Sequence, residues 1–368
     1  MDSQFLANYT PKQLTEAVEE IYFRYTKGMT AVSFPHAMIL GGQPGSGKTT
    51  IQNAALAENP NMIVINADEF RRYHPNFAAL NETFGVDSVL HTGAFSGAVA
   101  EKLIEKLSDE KYNLIIEGTL RTAETPLKTN ELLKNKGYTT ELSVMAVDRH
   151  VSWQGTLDRF EAMKATGDIP RATPKEHHDL VADILPKNLG AIFEANKFDK
   201  ITLYNRSGEC LYNSENTPAL NPAEALHNTI NSLSIYYEQK GEAAFLLRMY
   251  EHGVDPEDIA KLTGTDSEKV KTLCVTKDIS SYAENPHDIS NSTLEKAKQD
   301  GLTKGAGNMV AALSAKGKSP EDIAKLTGYK SETIAKLASE RIAEIAEKKK
   351  DFGSPKPITP TKSSKLKR

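Results

Sequence analysis

The stretch Gly42-Gln43-Pro44-Gly45-Ser46-Gly47-Lys48-Thr49 constrains this chain more than any other. It satisfies G-x-x-x-x-G-K-[ST] at every fixed position. The apolar run Ala37-Met38-Ile39-Leu40 before it reads as a buried strand, and Thr50 to Ala57 after it reads as a helix. Glycines let successive backbone N–H groups turn toward one point, and the helix N-terminus adds partial positive charge. Lys48 can reach terminal phosphates, and the Thr49 hydroxyl can hold Mg²⁺. With strand, loop and helix in register, residues Gly42 to Thr50 predict a site for a nucleoside triphosphate.

Further apolar runs follow at Met62–Ile65, Tyr112–Ile116, Glu141–Val147 and Lys200–Tyr204, alternating with helical stretches. Residues 11–28 read as a helix, with Thr10 as N-cap and Pro11 at the first helical position. The alternation predicts an α/β fold, a mostly parallel sheet flanked by helices. Ligands of such sheets bind at the carboxyl ends of the strands, so functional side chains are expected just past each run.

After about residue 215 the strand signals stop, and an internal repeat appears. Pro256 to Gly264 recurs unchanged as Pro320 to Gly328. Ser319 reads as an N-cap, Pro320 as the first helical residue and Gly328 as a C-terminal cap. Each copy follows an amphipathic stretch and precedes another, which predicts an all-α region with two helix-turn-helix-like repeats. The expected organisation is a domain over 1–215, a linker over 216–240 and helical repeats over 241–347. Residues 275–305 are expected to be loose, and 348–368 to form a disordered basic tail.

The 368-residue chain has a formal net charge of -4, which does not fit a polyanion binder as a whole. Cys210 and Cys274 belong to no C-x-x-C pair, which argues for reduced thiols rather than a disulfide framework or a zinc site. The first residues lack a basic segment followed by an apolar one, and no apolar run is long enough to span a bilayer. A soluble, cytoplasmic protein without membrane partners is the expectation.

Three strand ends carry candidate chemistry. Asp68, just past the second run, could accept the proton of an attacking hydroxyl, or it could simply cap the next helix. Glu69 is the weaker choice of base, being inside the first turn. Glu117, Thr119 and Arg121 leave the third run together, as a ligand site or as a solvated turn. Arg159 lies on a helix and Arg171 on a lid-like segment. Paired guanidiniums there could stabilise a transferring phosphoryl group, or each could form an ordinary surface ion pair. Adjacent His177 and His178 have no companion ligands and read as surface residues rather than a metal site.

Together these residues resemble the zeta-toxin family. The resemblance runs through Gly41–Thr50, Val64–Phe70, His74–Phe77, Tyr112–Arg121, Gly155–Glu161, Arg171–Lys175 and Leu203–Arg206, and spans about residues 10–215. It implies a P-loop kinase that phosphorylates the 3′-hydroxyl of the amino sugar in UDP-N-acetylglucosamine, acting as the toxin of a toxin–antitoxin pair. It implies Asp68 as general base, Lys48 and the loop on ATP, Thr49 on Mg²⁺, and Arg159 and Arg171 as clamps on the phosphate. Glu101, Thr119, Arg121 and Thr129 match positions that contact the UDP-sugar, with Glu117 beside them. A small helical antitoxin is the implied partner. Two departures touch the lid and the acceptor. The Arg159–Arg171 spacing is about one residue short of the family pattern, and Leu120 stands where a small residue is expected. Two other functions compete: a P-loop kinase for another nucleotide sugar, a dinucleotide or an antibiotic-like alcohol, and a nucleotide-switched DNA-binding regulator. The repeats count against the second, because Glu257, Asp258, Glu268, Glu321, Asp322 and Glu332 stand among their lysines.

Overall fold

Alternate strand residues face opposite sides of one sheet in this computed structural model, which describes residues 6–166, 170–279 and 292–351. The strands are β1 (His36–Gly41), β2 (Met62–Asn66), β3 (Asn113–Glu117), β4 (Thr139–Met145), β5 (Lys200–Tyr204) and β6 (Cys210–Asn213). Their order is β2-β3-β1-β4-β5-β6. Every pair up to β5 is parallel, and β6 joins β5 antiparallel. All five expected runs are strands. The sixth was not expected from its short sequence, and it follows a tight turn. The Asn205 side chain accepts from the backbone N–H groups of Ser207 and Glu209, and Gly208 takes a φ of +87°.

Period-two burial explains why helices cover both faces. Ile39, Ile65 and Ile116 join a core with Ile21 of the Pro11–Thr26 helix and Phe95 of the Ser88–Asp109 helix. Leu40, Met62 and Ile115 face the other way, onto Ile51 and Ala55 of the Lys48–Glu58 helix. Thr10 caps the Pro11–Thr26 helix in a capping box with Gln13, as its sequence predicts. β1 lies between β3 and β4, so the chain leaves it toward opposite sides of the sheet, and a crevice opens at its carboxyl end. The register sets Leu40 and Asn66 on either side of Glu117 in one row along that crevice.

The chain divides into two compact units between Ser232 and Leu233. The stretch 216–240, expected as a linker, instead carries the helix Ala223–Ile230 and the start of the helix Ser232–Glu251. Leu226 and Ile230 are buried in the core of the first unit, which is what makes the segment structural. The second unit continues with helices Pro256–Thr263, Ser267–Thr276, Ser292–Ala315, Pro320–Thr327 and Ser331–Asp351. The Ser292–Ala315 helix replaces much of the loose segment expected over 275–305. Residues 280–291 and 352–368 lie outside the described residues, and 348–351, expected to begin the tail, instead end the Ser331–Asp351 helix. Asp255 and Ser319 cap the two repeat helices, and Gly264 and Gly328 end them in left-handed conformation.

The two repeats share a single core. Leu246, Ile259 and Val270 of the first pack together with their repeat equivalents Val310, Ile323 and Ile334. The long helices cross at equivalent glycines. A Cβ on Gly241 would strike the Leu302 backbone, and one on Gly305 would strike the Glu238 backbone. These four positions exchange when one repeat is laid on the other, so the unit has an internal pseudo-two-fold relation. Gly305→Ala is expected to cost the second unit about 1–3 kcal/mol, because the obstacle is backbone and cannot swing aside. Calorimetry of the full chain checks this. A second-unit transition at the wild-type temperature would contradict the close helix crossing.

Candidate active site

The phosphate loop leaves β1 through three glycines in left-handed backbone: Gly42 (φ +142°), Gly45 (+73°) and Gly47 (+87°). Gly45 has no room for a side chain either, since a Cβ would meet the backbone of Ser152 and of Thr156 in the Arg149–Ala165 helix. Lys48 is buried at the start of its helix, with Nζ donating to the Gly42 carbonyl at 3.3 Å and the Gln43 carbonyl at 3.5 Å. It also lies 3.6 Å from Glu117 Oε1. Burial pulls the Lys48 ammonium below its usual range, against the opposing pull of Glu117. Thr49 is exposed on the first helical turn, so its hydroxyl is open to a ligand. Loop, ammonium and hydroxyl fit a Mg²⁺-bound nucleoside triphosphate.

Asp68 does not cap its helix. Asn66 does, accepting from the Asp68 backbone N–H at 2.9 Å while its Nδ2 donates to Glu117 Oε2 at 2.7 Å. One side chain thus orders both strand ends, and the Asp68 carboxylate is left free of the helix terminus. Arg71 donates to it at 2.9 Å, and is itself fixed on the Val89 carbonyl at 2.6 Å and on Thr92 at 3.1 Å. Burial acts to raise the Asp68 pKa. Arg71 opposes it, with Arg171 and Arg159 adding, and the net position is below the ordinary carboxylate value. Asp68 is therefore ionised at neutral pH.

The two arginines converge on the same place. Arg159 donates to Thr173 at 3.1 Å, which ties its helix to the segment carrying Arg171. Arg171 donates to Glu69 at 3.2 Å, so Glu69 is engaged in an ion pair. Asp68, Arg71, Arg159 and Arg171 border a cavity of about 600 Å³. A second cavity, of about 820 Å³, contains Glu101, Glu117, Thr119, Arg121 and Thr129 in its wall. Five of the six residues expected to contact an acceptor thus meet around one space, drawn from β3, the turn after it and two helices, while the sixth, Asp68, borders the first cavity instead. Between the loop and this space stand Lys48, Glu117 and Asn66 in hydrogen-bonding or ion-pair contact.

The zeta toxin family profile matches residues 20–217, more than half of the chain. The chain belongs to the zeta toxin family. It is 42% identical over 228 residues to Toxin zeta of Streptococcus pyogenes, covering 61% of this chain and 79% of that protein. It is 40% identical over 215 residues to Toxin PezT of Streptococcus pneumoniae, covering 58% of this chain and 85% of that one. A solved chain from the PezAT chromosomal toxin–antitoxin system of Streptococcus pneumoniae superposes with a TM-score of 0.55 at 34% identity, over 62% of this chain and 90% of that one. Among the described residues no helix is long and apolar enough to cross a membrane.

Beside the residues it shares with the zeta toxin pattern, the site has a buried brace that sequence reasoning missed. Gln43, Ser152 and His178 are fully buried. Gln43 Nε2 donates to the Val147 carbonyl at 2.6 Å and to Ser152 Oγ at 3.2 Å. Ser152 Oγ lies 2.9 Å from His178 Nε2, and His178 Nδ1 lies 3.0 Å from Asp179. His178 was expected at the surface. It is instead buried in the brace that joins the phosphate loop to the helices bearing Arg159 and following Arg171. Its neighbour His177 is half-buried and feels the charges of Arg121 and Asp68. The Ser152-to-Arg159 spacing of two helical turns was a readable signal, because it sets both on one face.

Burial holds His36, His74, His177 and His178 below the ordinary value of 6.5. Below that pH the unfolded chain binds more protons than the folded one. The stability from neutral burial is therefore complete above pH 6.5 and is lost as pH falls. Denaturation midpoints are expected to fall as pH is lowered below about 6.5, and to fall less steeply in His178→Gln. An equal slope in the variant would contradict the buried brace.

Proposed function

We propose that this zeta toxin family chain is a kinase that transfers the terminal phosphoryl group of ATP to the 3′-hydroxyl of the amino sugar of UDP-N-acetylglucosamine. The observation that carries this reading is the Asp68 carboxylate: it is released from capping by Asn66, ionised, and flanked by Arg159 and Arg171. In the proposed reaction the glycine loop and Lys48 hold the β- and γ-phosphates. Asp68 accepts the proton of the attacking hydroxyl as its oxygen bonds to phosphorus and the bond to ADP breaks. Arg159 and Arg171 neutralise charge on the equatorial oxygens. Phosphate arriving beside Asp68 adds negative charge and lifts its basicity toward that of a working base. Mg²⁺, when bound, would be held by Thr49 and would neutralise the leaving diphosphate. Glu101, Thr119, Arg121 and Thr129, with Glu117, would orient the sugar nucleotide in the larger cavity.

Depletion of a sugar-nucleotide precursor would make such a kinase toxic, and the PezAT relative supports a neutralising antitoxin partner. The C-terminal repeats are proposed as a protein-contact module, for a partner or for restraint in cis. The test is a panel of nucleotide sugars, dinucleotides and small alcohols, each incubated with ATP, Mg²⁺ and the full chain and read by mass spectrometry. Phosphorylated UDP-N-acetylglucosamine supports the reading. Phosphorylation of another acceptor alone keeps the kinase and replaces the substrate.

A further inference from the structure

Among the described residues, four non-glycines have left-handed backbone: Lys111, Leu120, Asn196 and Lys277. Asn196 and Lys277 terminate helices, where that conformation is common, and Lys111 closely follows one. Leu120 does not. It lies just past β3 with φ +52° and is only 4% exposed. A bulky side chain rarely adopts this backbone, so neighbouring groups must hold it there. Two do. Asn188 Nδ2, on the Lys175–Ala195 helix, donates to the Leu120 carbonyl at 2.8 Å. The Leu120 side chain lies over Gly41, where a Cβ would collide with it. Gly118 N–H donates to the Leu40 carbonyl at 2.9 Å and fixes the start of the same turn.

The consequence is visible in the larger cavity. An extended strand would offer it alternate residues. Instead the consecutive residues Glu117, Gly118, Thr119, Leu120, Arg121 and Thr122 all border it. The left-handed step wraps the chain around the space. We propose that Asn188 is a positioning residue for this cavity, holding the Leu120 turn in the form that presents Thr119 and Arg121 to the acceptor. The assignment rests on reading that cavity as the acceptor site. It also gives Leu120 a purpose where a small residue was expected: its side chain braces the acceptor turn on the last residue of β1, at the root of the phosphate loop.

The experiment uses the full chain with ATP and UDP-N-acetylglucosamine. Asn188→Ala is expected to raise the acceptor KM about tenfold while leaving the ATP KM unchanged, as loss of one hydrogen bond restraining a strained turn would do. In a Leu120→Gly background, where left-handed backbone carries no steric cost, the same change should raise it less. Equal effects on both KM values, an unchanged acceptor KM, or an undiminished effect beside Leu120→Gly would overturn the proposal. A crystal structure of Asn188→Ala decides it without reference to any substrate. Departure of Leu120 from positive φ is expected, and retention near +52° would overturn it. If the wild-type chain turns over no sugar nucleotide, the functional reading fails, and the crystal structure still judges Asn188.

Discussion

Asp68→Ala is expected to slow phosphoryl transfer by about 10²–10⁴-fold, the usual contribution of a positioned base, while ATP still binds. Binding survives because the loop glycines and Lys48 are anchored elsewhere, on the Gly42 and Gln43 carbonyls and on Glu117. The fold survives because Asn66, rather than Asp68, caps the helix. The substitution does free Arg71, which stays fixed on Val89 and Thr92. Single-turnover transfer and nucleotide titration, run side by side, check both halves. Loss of ATP affinity in step with activity would assign Asp68 to the nucleotide rather than to the acceptor.

Lys48→Met is expected to cost about 10²–10³-fold in kcat, as removal of one preorganised electrostatic donor does in a water-poor site. A second effect separates it from Asp68→Ala. The ammonium lies 3.6 Å from Glu117, and both are largely shielded from water. Without it, Glu117 keeps only the Asn66 amide among these contacts, and its carboxylate is destabilised. That unbalanced negative charge beside the loop repels the phosphates, so the variant should lose ATP affinity as well as rate. Calorimetric ATP titration and single-turnover transfer measure the two consequences. Wild-type ATP affinity in Lys48→Met would contradict the placement of the ammonium on the phosphates.

The residues of the phosphate loop were legible because their spacing carries a mechanism, and the five parallel strands because each is a run of apolar residues between turns. The role of Asp68 was not legible from position. Asn66 and Asp68 are both capping residue types, and only the backbone decides which one caps. His178 was read as exposed because it has no companion ligands in the sequence, while it is buried against Ser152, far away in the chain and itself held by Gln43. Leu120 looked like a simple replacement of a small side chain. Its left-handed backbone depends on Asn188, which no local pattern announces. In the C-terminal unit the repeat revealed two equivalent sets of helices. It could not reveal that Gly241 and Gly305 bring them together across a pseudo-two-fold relation, because pairing between copies leaves no periodic trace within either one.

The central claim is that the phosphate loop serves a second substrate whose hydroxyl meets Asp68. The most direct measurement is phosphorus–proton correlation NMR on the product formed by the full chain from ATP, Mg²⁺ and UDP-N-acetylglucosamine. The account predicts ADP together with a sugar nucleotide carrying a new phosphate coupled to the 3′ proton of the amino sugar. ADP and free phosphate, with the sugar nucleotide unchanged, would contradict it.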